Sequence, residues 1–123
     1  EHHVIHMHEI TVEKPWGKEI WWAHAEGKYM GKTLHINHGH RLSLQYHVYK
    51  DETIYVLKGK LKLVYSKEID GQLKEMDLNE GEVFRVHPTT VHRFCADYGD
   101  VVLLEVSTDH PEDVVRISDD YKR

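Results

Sequence analysis

The chain is poor in the features that build a disulfide scaffold, a membrane span or a nucleic-acid groove. Its single cysteine, Cys95, cannot form an internal disulfide. No apolar run approaches the roughly 20 residues of a membrane helix, and no secretory signal is recognisable at the start of the sequence. Together these set the expectation of a reducing, cytoplasmic compartment. The formal charge of -5 and pI of about 6.2 leave no basic excess. Nucleic-acid binders usually present a basic face, so neither nucleic acid nor membrane is expected as a partner. A small anion held by a few local Lys or Arg side chains stays compatible with this balance. Helical periodicity is scarce too: no segment of normal helix length shows it before Pro111.

Short strands are what the chain does have. Glu19 to His24, Tyr29 to Ile36, Leu42 to Val48, Thr53 to Leu57, Lys60 to Tyr65, Val83 to Val86, Arg93 to Ala96 and Val101 to Val106 all read as strands between turn signals. Lys58-Gly59 reads as a tight hairpin joining two of them. Val101 to Leu104 is nearly all apolar, as a central strand would be. Pro111 to Ile117 fits a helix opening or a terminal strand. With 123 residues, no repeat and no linker, one domain is expected, an all-β sandwich or barrel. Residues 13–123 are assigned to that domain. Residues 1–12 are read as a flexible tail, crowded with His2, His3, His6 and His8, with Met7 a candidate native start.

Four side chains in this pattern can each offer a lone pair to one metal ion: Gln45, His47, Glu52 and His92. Residues i and i+2 of a strand share a face, so Gln45 and His47 can both point inward. A short turn is expected to return Glu52 on the neighbouring strand, and His92 to arrive from a distant strand. Imidazole, carboxylate and amide make a mixed N/O set suited to Zn, Mn, Fe, Co or Ni. The competing pair His38 and His40 has the same i,i+2 spacing but sits in a turn without a carboxylate.

The spacing resembles the two motifs of the cupin superfamily across nearly the whole chain, which implies a double-stranded β-helix, or jelly-roll, barrel. Within Arg41-Leu-Ser-Leu-Gln-Tyr-His47, Gln45 stands where most cupins carry the first His. In this it is similar to cupin-type mannose-6-phosphate isomerases and to the isomerase domain of mannose-1-phosphate guanylyltransferases. Lys14-Pro-Trp-Gly17, Val91-His-Arg-Phe94 and the closing run from Glu112 to Arg123 resemble further stretches of that family. The resemblance implies that Gln45, His47, Glu52 and His92 bind a divalent metal, zinc by preference. It also implies interconversion of an aldose phosphate and its ketose through an enediol; a homodimer acting on a small sugar phosphate is the expected assembly. The chain departs from the family at Lys50, usually Arg, at Thr53, usually His, and at Thr89, usually Gly.

Such a reaction needs an electrophile, a proton carrier and a phosphate holder. Lys32, Arg41 and Glu105 are the assigned catalytic-site residues. Lys32 alternates with Leu34 and Ile36 and is expected to point inward, Arg41 shares parity with Gln45, and Glu105 interrupts an apolar strand. Lys50, Arg85 and Arg93 are further phosphate candidates, and His35 and His87 are alternative bases. Glu105 is expected to pair with an interior Lys or Arg, and Asp113 with Arg116. The three tryptophans are read as packing or a dimer surface, and Cys95 as core filler. Two other functions fit the same residues: an Fe(II) oxygenase built on His47, Glu52 and His92, which Gln45 as a fourth ligand opposes, and a sugar- or sugar-nucleotide-binding protein without turnover.

Overall fold

Residues 8–121 are described by a computed structural model. Eleven strands are present: β1 (Ile10–Lys14), β2 (Gly17–Ala25), β3 (Tyr29–Ile36), β4 (Leu44–Tyr46), β5 (Glu52–Lys58), β6 (Leu61–Ser66), β7 (Lys74–Leu78), β8 (Val83–Val86), β9 (Val91–Cys95), β10 (Val101–Thr108) and β11 (Val115–Ser118). They form two antiparallel sheets in the orders β1-β2-β3-β10-β5-β8 and β11-β4-β9-β6-β7. Among the described residues no helix is long and apolar enough to cross a membrane.

Alternation explains which side chains meet between the sheets. On β10, Val101, Leu103, Glu105 and Ser107 are buried, while Val106, of opposite parity, is 53% exposed. On β3 the inward set is Met30, Lys32, Leu34 and Ile36. Leu34, Ile36, Val56 and Leu103 pack against Leu61, Leu63 and Phe94 of the other sheet. Each such side chain contributes about 1.5–3 kcal/mol of burial free energy. Both sequences carry a charged residue at an inward position, Glu105 and Lys32, and these two are cross-strand partners.

Several expectations change here. β10 is central, between β3 and β5, as its apolar run suggested. The Lys58-Gly59 turn, however, does not close a hairpin: β5 pairs with β10 and β8, while β6 pairs with β9 and β7. The chain crosses between sheets at Gly59, whose φ is +83° and whose absent Cβ would stand 2.3 Å from the Asp100 carbonyl oxygen. A backbone that close leaves room only for glycine. The segment after Pro111 becomes strand β11. β1 starts at Ile10 and pairs with β2, so the sheet extends into the stretch assigned to the tail. His2, His3 and His6 lie outside the described residues.

Candidate metal centre

Gln45 and His92 are direct cross-strand partners on β4 and β9. His47 follows the end of β4, and Glu52 opens β5 in the opposite sheet. The expected roles of the strands are therefore exchanged: His92 comes from the neighbouring strand, and Glu52 crosses over from the facing sheet. His47, Glu52 and His92 are all buried, with ligand atoms within 4.8 Å of one another. Glu52 Oε1 lies 3.1 Å from His47 Nε2 and 3.3 Å from His92 Nε2. Gln45 lines the same cavity.

The rings are fixed from behind. His47 Nδ1 is 2.5 Å from the Asp113 carbonyl oxygen, and His92 Nδ1 is 2.9 Å from that of Thr90. A carbonyl oxygen can only accept, so each Nδ1 carries a proton and donates it. In the neutral rings both Nε2 lone pairs then face a carboxylate oxygen, an arrangement that is repulsive until a cation sits among them. This is how metal-ligating histidines are usually oriented. Glu52 Oε2, also buried, has no hydrogen-bond partner. Gln45 Nε2 donates to Ser43 Oγ at 3.0 Å, which leaves its carbonyl-type Oε1 as the atom available to a metal. The donor set fits a divalent ion.

Behind the triad runs a buried chain of alternating charges. Lys50 Nζ lies 3.7 Å from Glu52 Oε2 and 3.1 Å from Glu105 Oε2. Lys32 Nζ lies 3.7 Å from Glu105 Oε2 and 3.1 Å from Glu19 Oε1. Trp21 Nε1 donates to Glu19 at 2.9 Å. Burial opposes the Lys50 ammonium, but Glu105 and Glu52 outweigh it and hold its pKa above the usual lysine value. Burial also opposes ionisation of Glu52, but the Lys50 ammonium outweighs it and its pKa falls well below normal. Glu105 goes the other way: burial, reinforced by the Glu52 charge, pushes it up to about 7. Two carboxyl groups sharing one ammonium thus part in acidity.

The cavity collects some of the expected residues and excludes others. Lys32, Lys50 and Glu105 line it together with the metal candidates. Glu105 pairs with interior lysines, as expected. Arg41 instead turns outward to Asp120 at 2.6 and 2.9 Å, because this short strand starts only at Leu44. Arg85 is held outside by Asp51, and Arg93 donates to the carbonyls of Leu42 and Ser118. His87 is exposed, and His35 does not line the cavity. Asp113 accepts the backbone N–H groups of Val48, Tyr49 and Lys50 rather than pairing with Arg116, which lines the cavity. Trp22 is exposed, whereas Trp16, a core residue, and Trp21 both line the cavity, with Lys32 Nζ 5.4 Å from the Trp21 ring centroid.

Glu19 was not anticipated, although its parity with Trp21 on an inward face was a readable signal. Lys14 at the cavity was not anticipated, and Arg116 was expected at Asp113 instead; each sits on an edge strand.

A family profile described as cupin domain matches residues 32–107. No curated protein matches the chain. Among solved structures, the capsular polysaccharide assembling protein CapF of Staphylococcus aureus superposes with a TM-score of 0.79 at 13% identity, covering 92% of this chain and 33% of CapF. KdgF of Halomonas sp. gives 0.71 at 17% identity, covering 85% and 89%. An oxalate decarboxylase of B. subtilis gives 0.76 at 14% identity, covering 95% and 34%. This chain thus spans about a third of the length of CapF. At these identities the likeness speaks for the fold. A further B. subtilis oxalate decarboxylase structure is described as having Mn(II) centres.

Proposed function

Because the chain belongs to the cupin family, we propose that it is a metal-dependent sugar-phosphate isomerase of the mannose-6-phosphate type, moving a proton between C1 and C2 of a hexose phosphate. One observation carries this reading: Gln45 stands beside the His47–Glu52–His92 triad in the same cavity as the buried Lys32–Glu105–Lys50 chain. Three side-chain ligands alone would also suit an iron oxygenase. A fourth, from Gln45, takes a position that oxygen would need.

Bound there, a divalent ion, zinc by preference, supplies Lewis acidity at the sugar's carbonyl oxygen. The chain's own groups do the rest. His47, Glu52, His92 and Gln45 hold the ion, oriented by Asp113, Thr90 and Ser43. Glu105 is the buried carboxyl group placed to carry the proton, and Lys50 and Lys32 keep it in place. Trp21 offers an apolar face to the sugar ring. The protein works as a cytoplasmic homodimer in this reading. Trp22, Tyr55, Val83 and Val106 leave apolar area on the outer surface of the six-stranded sheet.

The test is conversion of mannose 6-phosphate to fructose 6-phosphate by zinc-loaded protein, followed by NMR in deuterated water to detect label at C1 of the fructose 6-phosphate. Glu105→Gln is expected to lower kcat by about 10²–10⁴ with metal content unchanged. Metal-loaded protein that binds the sugar phosphate without turnover would establish a binding protein instead.

A further inference from the structure

We propose that Arg116 and Lys14 form an anion clamp at the rim of the cavity that takes the substrate's phosphate group; the assignment to a sugar phosphate rests on the isomerase reading above. The register places Arg116. It is the cross-strand partner of Gln45, which is the partner of His92. Directly opposed residues project to the same side of a sheet, so Arg116, Gln45 and His92 form one row across β11, β4 and β9. Adjacent strands lie about 4.8 Å apart, which puts Arg116 on the order of 10 Å from His92 along that row. A hexose whose first carbons sit at the metal centre extends its phosphate over a comparable span. Lys14 reaches the same cavity from the end of β1, the edge strand of the facing sheet.

Charge accounting within the cavity selects these two cations. The interior lysines are already committed: Lys32 and Lys50 are shared among Glu19, Glu52 and Glu105. An incoming dianion would meet two ammonium groups facing three carboxyl groups. Arg41 and Arg85 are held outside by Asp120 and Asp51. Arg116 lines the cavity and has no salt bridge among the described residues; Lys14 lines it too and, although its charge also reaches Glu19, makes no salt bridge with it. An arginine fork matches two phosphate oxygens, and a lysine adds a point charge.

The experiment is calorimetric titration of metal-loaded protein with inorganic phosphate, using wild type, Arg116→Gln, Arg116→Lys and Lys14→Gln, with metal content measured on each. Arg116→Gln is expected to weaken phosphate binding at least about tenfold, as loss of a charge-assisted hydrogen bond should. Lys14→Gln should weaken it less, Arg116→Lys should recover part, and metal content should not move. Unchanged affinity in both glutamine variants overturns the clamp. So does the absence of saturable phosphate binding in wild type, or binding that needs the metal yet survives both substitutions. The two readings fail separately. A drop in phosphate affinity without any turnover of mannose 6-phosphate sinks the isomerase and keeps the clamp. Turnover by Arg116→Gln with an unchanged KM does the reverse.

Discussion

Glu52 Oε1 lies 3.1 Å from His47 Nε2 although Glu52 opens β5 in one sheet and His47 follows β4 of the other. The contact closes the sandwich at its polar end, and the Nδ1–H of His47 is already spent on the Asp113 carbonyl. A divalent ion placed between them would therefore bind the folded state far better than the unfolded one.

Protein freed of the N-terminal histidines should retain about one ion per chain by elemental analysis, because the triad is preorganised. His92→Ala should lose it. Chelation should lower the Tm of wild type, since a ligand bound only to the native state stabilises by mass action, about 2.7 kcal/mol at 100 times its Kd. His92→Ala with wild-type metal content would show that the ion sits elsewhere.

Asp113 ties the loop after β4 to the strand that follows. Its carboxylate accepts three backbone N–H groups and its carbonyl orients His47. Asp113→Ala should destabilise by about 2 kcal/mol, from lost charge-assisted hydrogen bonds. The carbonyl that receives the His47 Nδ1–H is main chain and survives the substitution, so metal affinity should fall only through displacement of the loop, by less than the roughly 10–100-fold of losing an outer partner outright. Urea unfolding of the chelated protein separates the two effects; unchanged metal affinity would limit Asp113 to the loop.

Thr89 has a φ of +71° and donates its N–H to the His47 carbonyl at 2.7 Å. A β-branched side chain is costly there. Thr89→Gly should relieve about 1–2 kcal/mol of strain, offset in part by the unfolded-state entropy of glycine. The net expectation is a Tm higher by a few degrees, read by calorimetry. A lower Tm would mean that the Thr89 side chain contributes more than its backbone costs.

Glu19 titrates below its ordinary value: burial opposes the charge, but Lys32, Trp21 and Lys14 outweigh it. A carboxyl group with a depressed folded-state pKa contributes stability that is present above its unfolded value, near 4.5, and lost as pH falls through the folded one. Glu19→Gln should therefore be less stable at neutral pH and show a shallower loss of stability on acidification. Denaturant unfolding at pH 7 and near pH 4 checks this. Equal acid slopes in the two proteins would contradict it.

Much of the inward face was legible as alternation. Met30, Lys32, Leu34 and Ile36, or Val101, Leu103 and Glu105, follow parity alone, because a strand offers only two faces. The candidate ligand cluster was legible for the same reason, helped by the recurrence of its spacing. Arg41 shows where parity stops. It shares the parity of Gln45, but it precedes the strand, where Asp120 of a distant segment captures it. Lys58-Gly59 shows the same limit. The turn signal is local and correct, yet whether the chain folds back or crosses to the other sheet depends on partners far along the sequence.

By itself, then, the sequence determined the all-β class, the residues available to hold an ion and the charged side chains that had to be buried, since these follow from side-chain chemistry and a two-residue period. The tertiary structure alone decided that Glu52 reaches the histidines from the facing sheet, that Lys50 lies between two carboxyl groups, and that Arg116 stands in the same row as Gln45 and His92. Those relations are set by strand order and register, which depend on how the whole core packs and leave no mark in the spacing of neighbouring residues.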